Sequence, residues 1–227
     1  MFTDKDLAQI ESLGMNVAHV NAQIEHFKKG FPYLYITKAA TVGDGIIRLE
    51  EQEIERYVKA YQTALPNLKA VKFVPASGAA SRMFKSLFSF MNSYAGTPEQ
   101  EAAFQADQGP KSVYAFFDRL EDFAFYQDLK ATFIDESLEA VLAQKDYAKV
   151  LRHLLTEEGL GYGELPKGLL KFHRYPDGSR TPTEEHVVEG IHYCTDQGTV
   201  HLHLTVSPEH RERFKAHVEG VQAHYEA

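Results

Sequence analysis

The sequence predicts an α/β protein that combines a parallel sheet, a helical N-terminal extension and a helical insert. Extended segments near Phe73, Leu169 and Leu202 alternate with amphipathic helices. This order favours parallel strands joined by crossover helices. Apolar residues recur with helical spacing over most of residues 1–66, and residues 97–160 contain no strand pattern. Both regions are therefore predicted to be mainly helical.

The N-terminal extension contains three predicted helices. Thr3 and Asn16 are suited to cap the first two, and Gly30 is suited to end the second. The following stretch is extended, with a Gly-Asp-Gly turn at 43–45. Apolar residues then step by three and four along 50–65, which predicts the third helix.

The remaining chain, 67–227, is the predicted α/β domain. A short strand at 71–74 leads through small residues into a helix that begins after Ser81. Thr97-Pro98-Glu99-Gln100 is a typical helix start and opens the insert, 97–160, whose size suits a lid or subdomain.

Two further strands and two further helices are predicted after the insert. The apolar run 168–172 is a short strand candidate, and the alternating run 198–207 is the clearest strand in the chain. Thr181-Pro182-Thr183-Glu184 opens one helix, and Ser207-Pro208 opens the last.

The composition excludes several classes of protein. The chain has 227 residues, of which 44% are hydrophobic, and a formal charge of −8 without a basic stripe, so we expect no nucleic-acid partner. The single cysteine, Cys194, rules out an internal disulfide and a cysteine-based zinc site. No run approaches the roughly 18 apolar residues of a membrane span, and no secretory signal is present, so we expect a cytoplasmic protein without membrane contact.

The stretch "KFVPASGAASRM", 72–83, carries the most specific pattern in the chain. Small residues between a strand and a helix allow close backbone approach to a ligand, and successive N–H groups can surround an anion. Arg82 can add a bidentate contact to phosphate. These features leave two interpretations open: an anion site, or a tight turn packed under a sheet with Arg82 as a surface charge.

"PASGAASRM", 75–83, resembles the signature of sugar-nucleotide and related nucleotidyltransferases, L-A-A-G-x-G-(S/T)-R-(M/L). Gly78, Ser81, Arg82 and Met83 match in place. Ala80 stands where that family has its second glycine, and we expect its methyl group to crowd a backbone that touches triphosphate.

A second stretch, "LPKGLLKFHRYPDGSRTPTEEHVVEG", 165–190, is similar to the same family's P-K-x-L-L segment with its following turn and helix. Lys167 falls on the lysine that contacts substrate phosphate in that family, and Lys171 is its rival. Arg82 and Lys167 lie 85 positions apart, with the insert filling the gap. The resemblance covers about a third of the chain and is closest to an uncharacterised bacterial family related to these transferases.

The resemblance implies a partial nucleotidyltransferase-like sheet that transfers a nucleotidyl group to a phosphorylated small molecule. Its implied partners are a nucleoside triphosphate and a small-molecule acceptor, and Mg²⁺ is the expected cofactor. Arg82 and Lys167 are the implied catalytic residues. Asp44 and Asp177 are the visible candidates for metal-binding acids, but both lie in turn sequences that favour aspartate, so we assign no metal ligand. The implied nucleotide-binding residues are Ala76, Ser77, Gly78, Ala79, Ala80 and Ser81.

Two other functions remain open. The first is a non-catalytic nucleotide or phosphate sensor in which the insert closes over the ligand. The second is a metal-dependent hydrolase, because His201 and His203 share one face of a strand. Polar neighbours on that face explain both histidines without a metal, and we expect elemental analysis to find no stoichiometric transition metal.

The number of predicted strands is small for a complete transferase. Three strand signals are visible, whereas a doubly wound sheet usually has about five or more. We therefore expect this chain to be one part of a longer protein, with a C-terminal half missing and an unfinished sheet edge.

Overall fold

The computed structural model describes residues 2–80 and 82–226, and Ser81 lies outside the described residues. The chain folds as two compact units, Met1–Val58 and Lys59–Ala227. The division falls within helix α3 (Glu51–Ala64), whereas the sequence analysis places a boundary after residue 66.

The first unit begins with two capped helices. Helix α1 (Asp4–Ser12) starts at Thr3, whose side chain accepts the Asp6 N–H in a capping box. Helix α2 (Val17–Lys29) starts at Asn16 and ends at Gly30, which has a φ of 73°. The three predicted caps are therefore confirmed. Two-residue strands follow, in which Thr41–Val42 (β1) lies against Gly45–Ile46 (β2) at the predicted turn.

The second unit contains the predicted parallel strands. After the end of α3 and a 3-10 turn (Leu65–Asn67), strand β3 (Lys72–Pro75) pairs in parallel with strand β8 (Leu202–Thr205). Lys72 lies opposite Leu202 and Pro75 lies opposite Thr205. The strands predicted near Phe73 and Leu202 are confirmed, and the mixed α/β class with them.

The strand predicted at 168–172 is wrong. Lys167–Leu169 forms a 3-10 turn, and the following Leu170 is fully buried. The carbonyl of Gly168 accepts a hydrogen bond from the Thr183 hydroxyl and not from a neighbouring strand. In the described part of the chain the parallel sheet therefore has two strands, β3 and β8.

Two small hairpins and two helices complete the α/β part. One hairpin pairs β4 (His173–Tyr175) with β5 (Gly178–Arg180), and the other pairs β6 (Thr195–Asp196) with β7 (Thr199–Val200). The long strand predicted at 198–207 is thus divided between β7 and β8. The helices are α10 (Pro182–Tyr193), capped by Thr181, and α11 (Arg211–Glu226), which follows a 3-10 turn at Pro208–His210.

The insert contains helices joined by turns, and residues 97–160, all of which are described, contain no strand. Helix α4 (Lys85–Ser93) precedes the insert. The insert contains five α-helices and a 3-10 turn (Leu120–Asp122). The helices from α4 onward are α4 (Lys85–Ser93), α5 (Pro98–Ala106), α6 (Val113–Asp118), α7 (Tyr126–Ala131), α8 (Leu138–Ala143) and α9 (Tyr147–Leu155).

The insert also supplies most of the buried core of the second unit, which is more than a lid would do. Helix α9 is amphipathic, and its apolar face packs on α4 and α8. Residues of the loop, of α4 and of the 160–170 segment complete the same cluster. The insert members are Leu120, Phe125, Tyr126, Leu129, Leu138, Val141, Val150, Leu151, Leu154 and Leu155.

Within the described residues, no helix combines the length and the apolar character that crossing a lipid bilayer requires.

Candidate functional site

The small-residue loop leaves strand β3 at its carboxyl end. The Ala76 N–H donates to the Thr205 carbonyl at 2.8 Å, which extends the β3–β8 ladder by one bond. The chain then turns away from the sheet through Ser77 and Gly78, both exposed. Ligands of α/β proteins bind at the carboxyl ends of parallel strands, so the loop has the position that such a site requires.

A backbone contact joins the two stretches that resemble nucleotidyltransferases. The Lys167 N–H donates to the Gly78 carbonyl at 3.0 Å. Ala79 and Pro166 face each other in an isolated antiparallel bridge. The structure therefore brings Lys167 next to the loop although the two are far apart in the sequence.

The segment around Lys167 is held from its other side. Thr183 is buried at the start of α10, and its hydroxyl donates to the Gly168 carbonyl at 2.7 Å. A Cβ added at Gly168 would lie 3.0 Å from the Phe214 ring and from the Thr183 hydroxyl. This tight packing fixes the backbone at Gly168, so the position of the Lys167 backbone relative to the loop is well defined.

The exposed backbone of the loop has hydrogen-bond donors without a partner in the described part of the chain. Among the described residues, the N–H groups of Ser77, Gly78 and Ala79 donate to no backbone carbonyl. An added Cβ at Gly78 would meet no heavy atom within 4 Å, so the glycine leaves open space and relieves no internal clash. Successive N–H groups of an exposed loop can surround an anion.

Ala80 does not crowd this space as the sequence analysis expects. Its exposed fraction is 1%, and it belongs to the core cluster with Phe84 and Leu87. The methyl group therefore packs into the interior. The alanine that replaces the family's second glycine is compatible with an open loop.

Arg82 lies in a turn, not in the first turn of a helix as predicted. The Met83 N–H donates to the Ala80 carbonyl at 2.8 Å, and helix α4 begins only at Lys85. The positive end of the α4 dipole therefore lies three residues after Arg82 in the chain, and not at Arg82 itself. Arg82 is exposed and forms no ion pair within the described part of the chain.

The structure distinguishes the two lysines that compete for the phosphate-binding role. The Lys171 Nζ lies 2.8 Å from the Asp128 carboxylate, so its charge has a partner inside the protein. Lys167 is exposed and has no acidic partner in residues 2–80 and 82–226. Of the two, Lys167 is the one whose charge is available to a ligand.

The remaining predicted candidates have other surroundings. Asp44 pairs with Lys38 in the first unit, and Asp177 lies in the exposed turn between β4 and β5. The His203 ring stacks on Phe73 with centroids 5.2 Å apart. Across the described residues, no group of three or more histidine, cysteine or acidic side chains is arranged to hold a metal ion.

A cavity that the sequence does not predict has one wall that begins one residue after Arg82. Its volume is about 780 Å³, and its lining begins at Met83, directly after Arg82. Helix α4 forms one wall, and the insert from Pro110 to Phe125 forms much of the rest. Helical periodicity predicts a helical insert but does not show that its aromatic residues form the wall of a cavity.

A polar cluster at the opposite end of β3 was also missed. The Lys72 ammonium contacts the Glu189 carboxylate and the Tyr193 hydroxyl, the latter at 2.7 Å, and its side chain is only 12% exposed. His186 Nδ1 lies 3.1 Å from the Glu189 carboxylate. The hydrogen bond from Lys72, together with that from His186, lowers the pKa of Glu189 to about 2.

The fold and the site define a mixed α/β protein with a small-residue loop at the carboxyl end of a parallel strand, supported by a helical core. A family model described as "Domain of unknown function (DUF4301)" matches residues 3–227, and the chain belongs to this family. No curated protein and no solved structure matches the chain significantly.

Proposed function

We propose that the loop and its two cations bind the phosphate chain of a nucleoside triphosphate, and that the protein transfers the nucleotidyl group to a phosphorylated small molecule. The observation that carries this proposal is the hydrogen bond from the Lys167 N–H to the Gly78 carbonyl. It joins the two motifs of the transferase-like pattern at one place. Neither Arg82 nor Lys167 has an acidic partner in the described chain, so both charges are available.

The proposed roles follow from the chemistry of each group. The N–H groups of Ser77, Gly78 and Ala79 donate to phosphate oxygens, and Arg82 adds a planar, bidentate contact. Lys167 adds a point charge next to the loop. Together these groups position the triphosphate and stabilise the charge that develops on it during transfer.

The transfer is an in-line displacement at the α-phosphorus. A phosphate oxygen of the acceptor forms a bond to that phosphorus, while the bond from the α-phosphorus to the oxygen that bridges to the β-phosphate breaks. Pyrophosphate leaves with the electron pair of the broken bond. No proton is gained or lost in the balanced reaction, so positioning and charge stabilisation are the contributions required of the protein.

The expected Mg²⁺ has no assigned protein ligands. Asp44 is paired with Lys38, Asp177 is in an exposed turn, and the described residues contain no cluster of metal-binding side chains. We therefore assign no step of the reaction to a protein-held metal.

A nucleotide sensor is the second candidate, and the cavity wall favours it. Residues of the insert line the cavity that begins at Met83. A ligand held at the loop and in the cavity would therefore contact both the sheet and the insert, as a sensor that changes shape requires. Turnover of a labelled nucleoside triphosphate with an acceptor phosphate separates a transferase from a sensor.

Calorimetric titration with the four common ribonucleoside triphosphates, each with Mg²⁺, tests the binding claim. We expect one of them to bind and Gly78→Val to weaken it at least about tenfold, because the new side chain fills the space that the ligand occupies. The melting temperature should change little, since a Cβ at Gly78 has no neighbour within 4 Å. Equal affinity of the wild type and Gly78→Val would reject the site.

A further inference from the structure

The cavity next to the loop has a size and lining that describe its ligand. Its volume of about 780 Å³ is far larger than a phosphate group and lies within the range of small-molecule sites. The walls are mainly apolar and include Phe84, Leu87, Phe116, Phe123, Phe125 and Phe172. Such walls favour a ligand with an aromatic or hydrocarbon body.

Polar groups on the cavity wall are few. Among the described lining residues, the uncharged polar side chains are Ser86 and Ser112, and the Ser112 hydroxyl already accepts the Ala115 N–H at 3.0 Å. A sugar placed here would leave most of its hydroxyl groups without partners, at a substantial cost in free energy. The wall therefore disfavours a sugar phosphate.

Lys111, Arg119 and Asp122 are the charged side chains of the cavity wall. Lys111 lines it, is exposed, and forms no ion pair within the described residues. Arg119 also lines it, but its Nε lies 3.0 Å from the Asp122 carboxylate, so that charge is largely balanced. The net positive charge comes from Lys111, which suits one anionic group on the ligand.

We propose that this cavity binds the acceptor of the transfer, and that the acceptor is a phosphate ester with an aromatic or otherwise apolar body. The inference rests on the proposed function, in which the nucleotide phosphates occupy the loop beside Arg82. Met83 of the cavity wall directly follows Arg82 in the chain, and Phe84 and Leu87 of the same wall belong to one buried cluster with Ala80 of the loop, which places the acceptor near the proposed nucleotide site. Lys111 binds the anionic end of the acceptor, and the phenylalanine rings bind its body.

Calorimetry on the full chain tests this assignment with two acceptor probes, naphthyl phosphate and a hexose phosphate. We expect naphthyl phosphate to bind and the hexose phosphate to bind no better than inorganic phosphate. Lys111→Gln should weaken naphthyl phosphate about three- to tenfold, because one exposed charge contact is lost. Ala115→Phe should weaken it at least about tenfold by filling the cavity.

The same variants separate the acceptor site from the nucleotide site. Arg82→Ala should weaken the nucleotide and leave naphthyl phosphate unchanged, while Lys111→Gln should have the reverse effect. Circular dichroism and melting temperature establish that each variant is folded. Since Lys111 is exposed, Lys111→Gln remains informative if Ala115→Phe does not fold.

Three outcomes would overturn the inference. If nucleotide binding depends on Arg82 but neither cavity variant changes naphthyl phosphate affinity, the cavity assignment fails and the proposed function stands. If Ala115→Phe weakens the nucleotide as much as naphthyl phosphate, the cavity holds the nucleotide base and not an acceptor. If naphthyl phosphate binds at the cavity but no nucleotide binds the chain, the acceptor role fails together with the proposed function.

Discussion

The two ends of strand β3 carry basic side chains in opposite situations. At the amino end, the Lys72 ammonium is mostly buried, contacts Glu189 and lies 4.9 Å from the centroid of the Tyr193 ring. At the carboxyl end, Arg82 and Lys167 are exposed and have no acidic partner in the described residues. Strand β3 thus has at its amino end a lysine whose charge is neutralised by the protein, and at its carboxyl end two cations whose charges are available to a ligand.

This difference distinguishes structural charges from ligand-binding ones. A buried ammonium requires a partner, because burial without one is strongly unfavourable. Burial alone lowers the pKa of Lys72, and its hydrogen bonds to Glu189 and Tyr193 more than offset this, so the pKa is raised overall. Exposed cations next to unused backbone donors have no such requirement and can exchange water for an anion.

The largest expected effect is on ligand binding at the carboxyl end. Arg82→Ala should weaken nucleoside triphosphate binding about ten- to a hundred-fold, because a charge-assisted contact is lost. Lys69→Ala is the matched control, since it removes an exposed lysine near the amino end of the same strand. Calorimetry on both variants checks the comparison, which fails if the two have equal affinities.

A smaller effect is expected where the Lys167 segment is held. Thr183→Val removes the hydroxyl that donates to the Gly168 carbonyl at 2.7 Å and should lower the free energy of unfolding by about 1–3 kcal/mol. It should also weaken nucleotide binding a few-fold, because Lys167 is less firmly positioned. Urea unfolding and calorimetry measure the two effects. Stability loss with unchanged binding would show that Lys167 takes no part in the site.

The amino end should show the reverse behaviour. Glu189→Gln should lower the free energy of unfolding by about 1 kcal/mol, a small value because the Glu189 side chain is 45% exposed. Nucleotide affinity should not change. A loss of nucleotide affinity similar to that of Arg82→Ala would indicate that the ligand binds at the amino end of β3, which contradicts our account.

The pH dependence of the same variant sharpens this prediction. The pKa of Glu189 is lowered from 4.5 to about 2, so its stabilising effect is complete above pH 4.5 and is lost as the pH falls towards 2. The stability difference between wild type and Glu189→Gln should therefore shrink over that interval. An unchanged difference from neutral pH down to about 2 would contradict the assigned ion pair.

Local features of the fold were predictable because they depend on neighbouring residues. Thr3, Asn16 and Gly30 cap their helices as expected, since capping depends on residues within one turn. The apolar run at 168–172 predicts a strand, but the structure has a 3-10 turn at Lys167–Leu169. Its backbone partner is Thr183, a tertiary contact that no local pattern reveals.

The candidate site was predictable in part for the same reason. The small-residue loop and Arg82 stand next to each other in the sequence, so their local order could be read directly. The inward direction of the Ala80 methyl group and the pairing of Lys171 with Asp128 depend on packing. The cavity depends on how the insert meets α4, which helical periodicity does not determine.

Amide proton–nitrogen correlation spectra recorded during titration with inorganic triphosphate test the central claim most directly. They report on the backbone donors themselves. The account predicts saturable shifts of the Ser77, Gly78 and Ala79 amides, and no shift of the Lys72 and Glu189 amides at the other end of β3. Saturable shifts confined to other residues, or none in the loop, would contradict it.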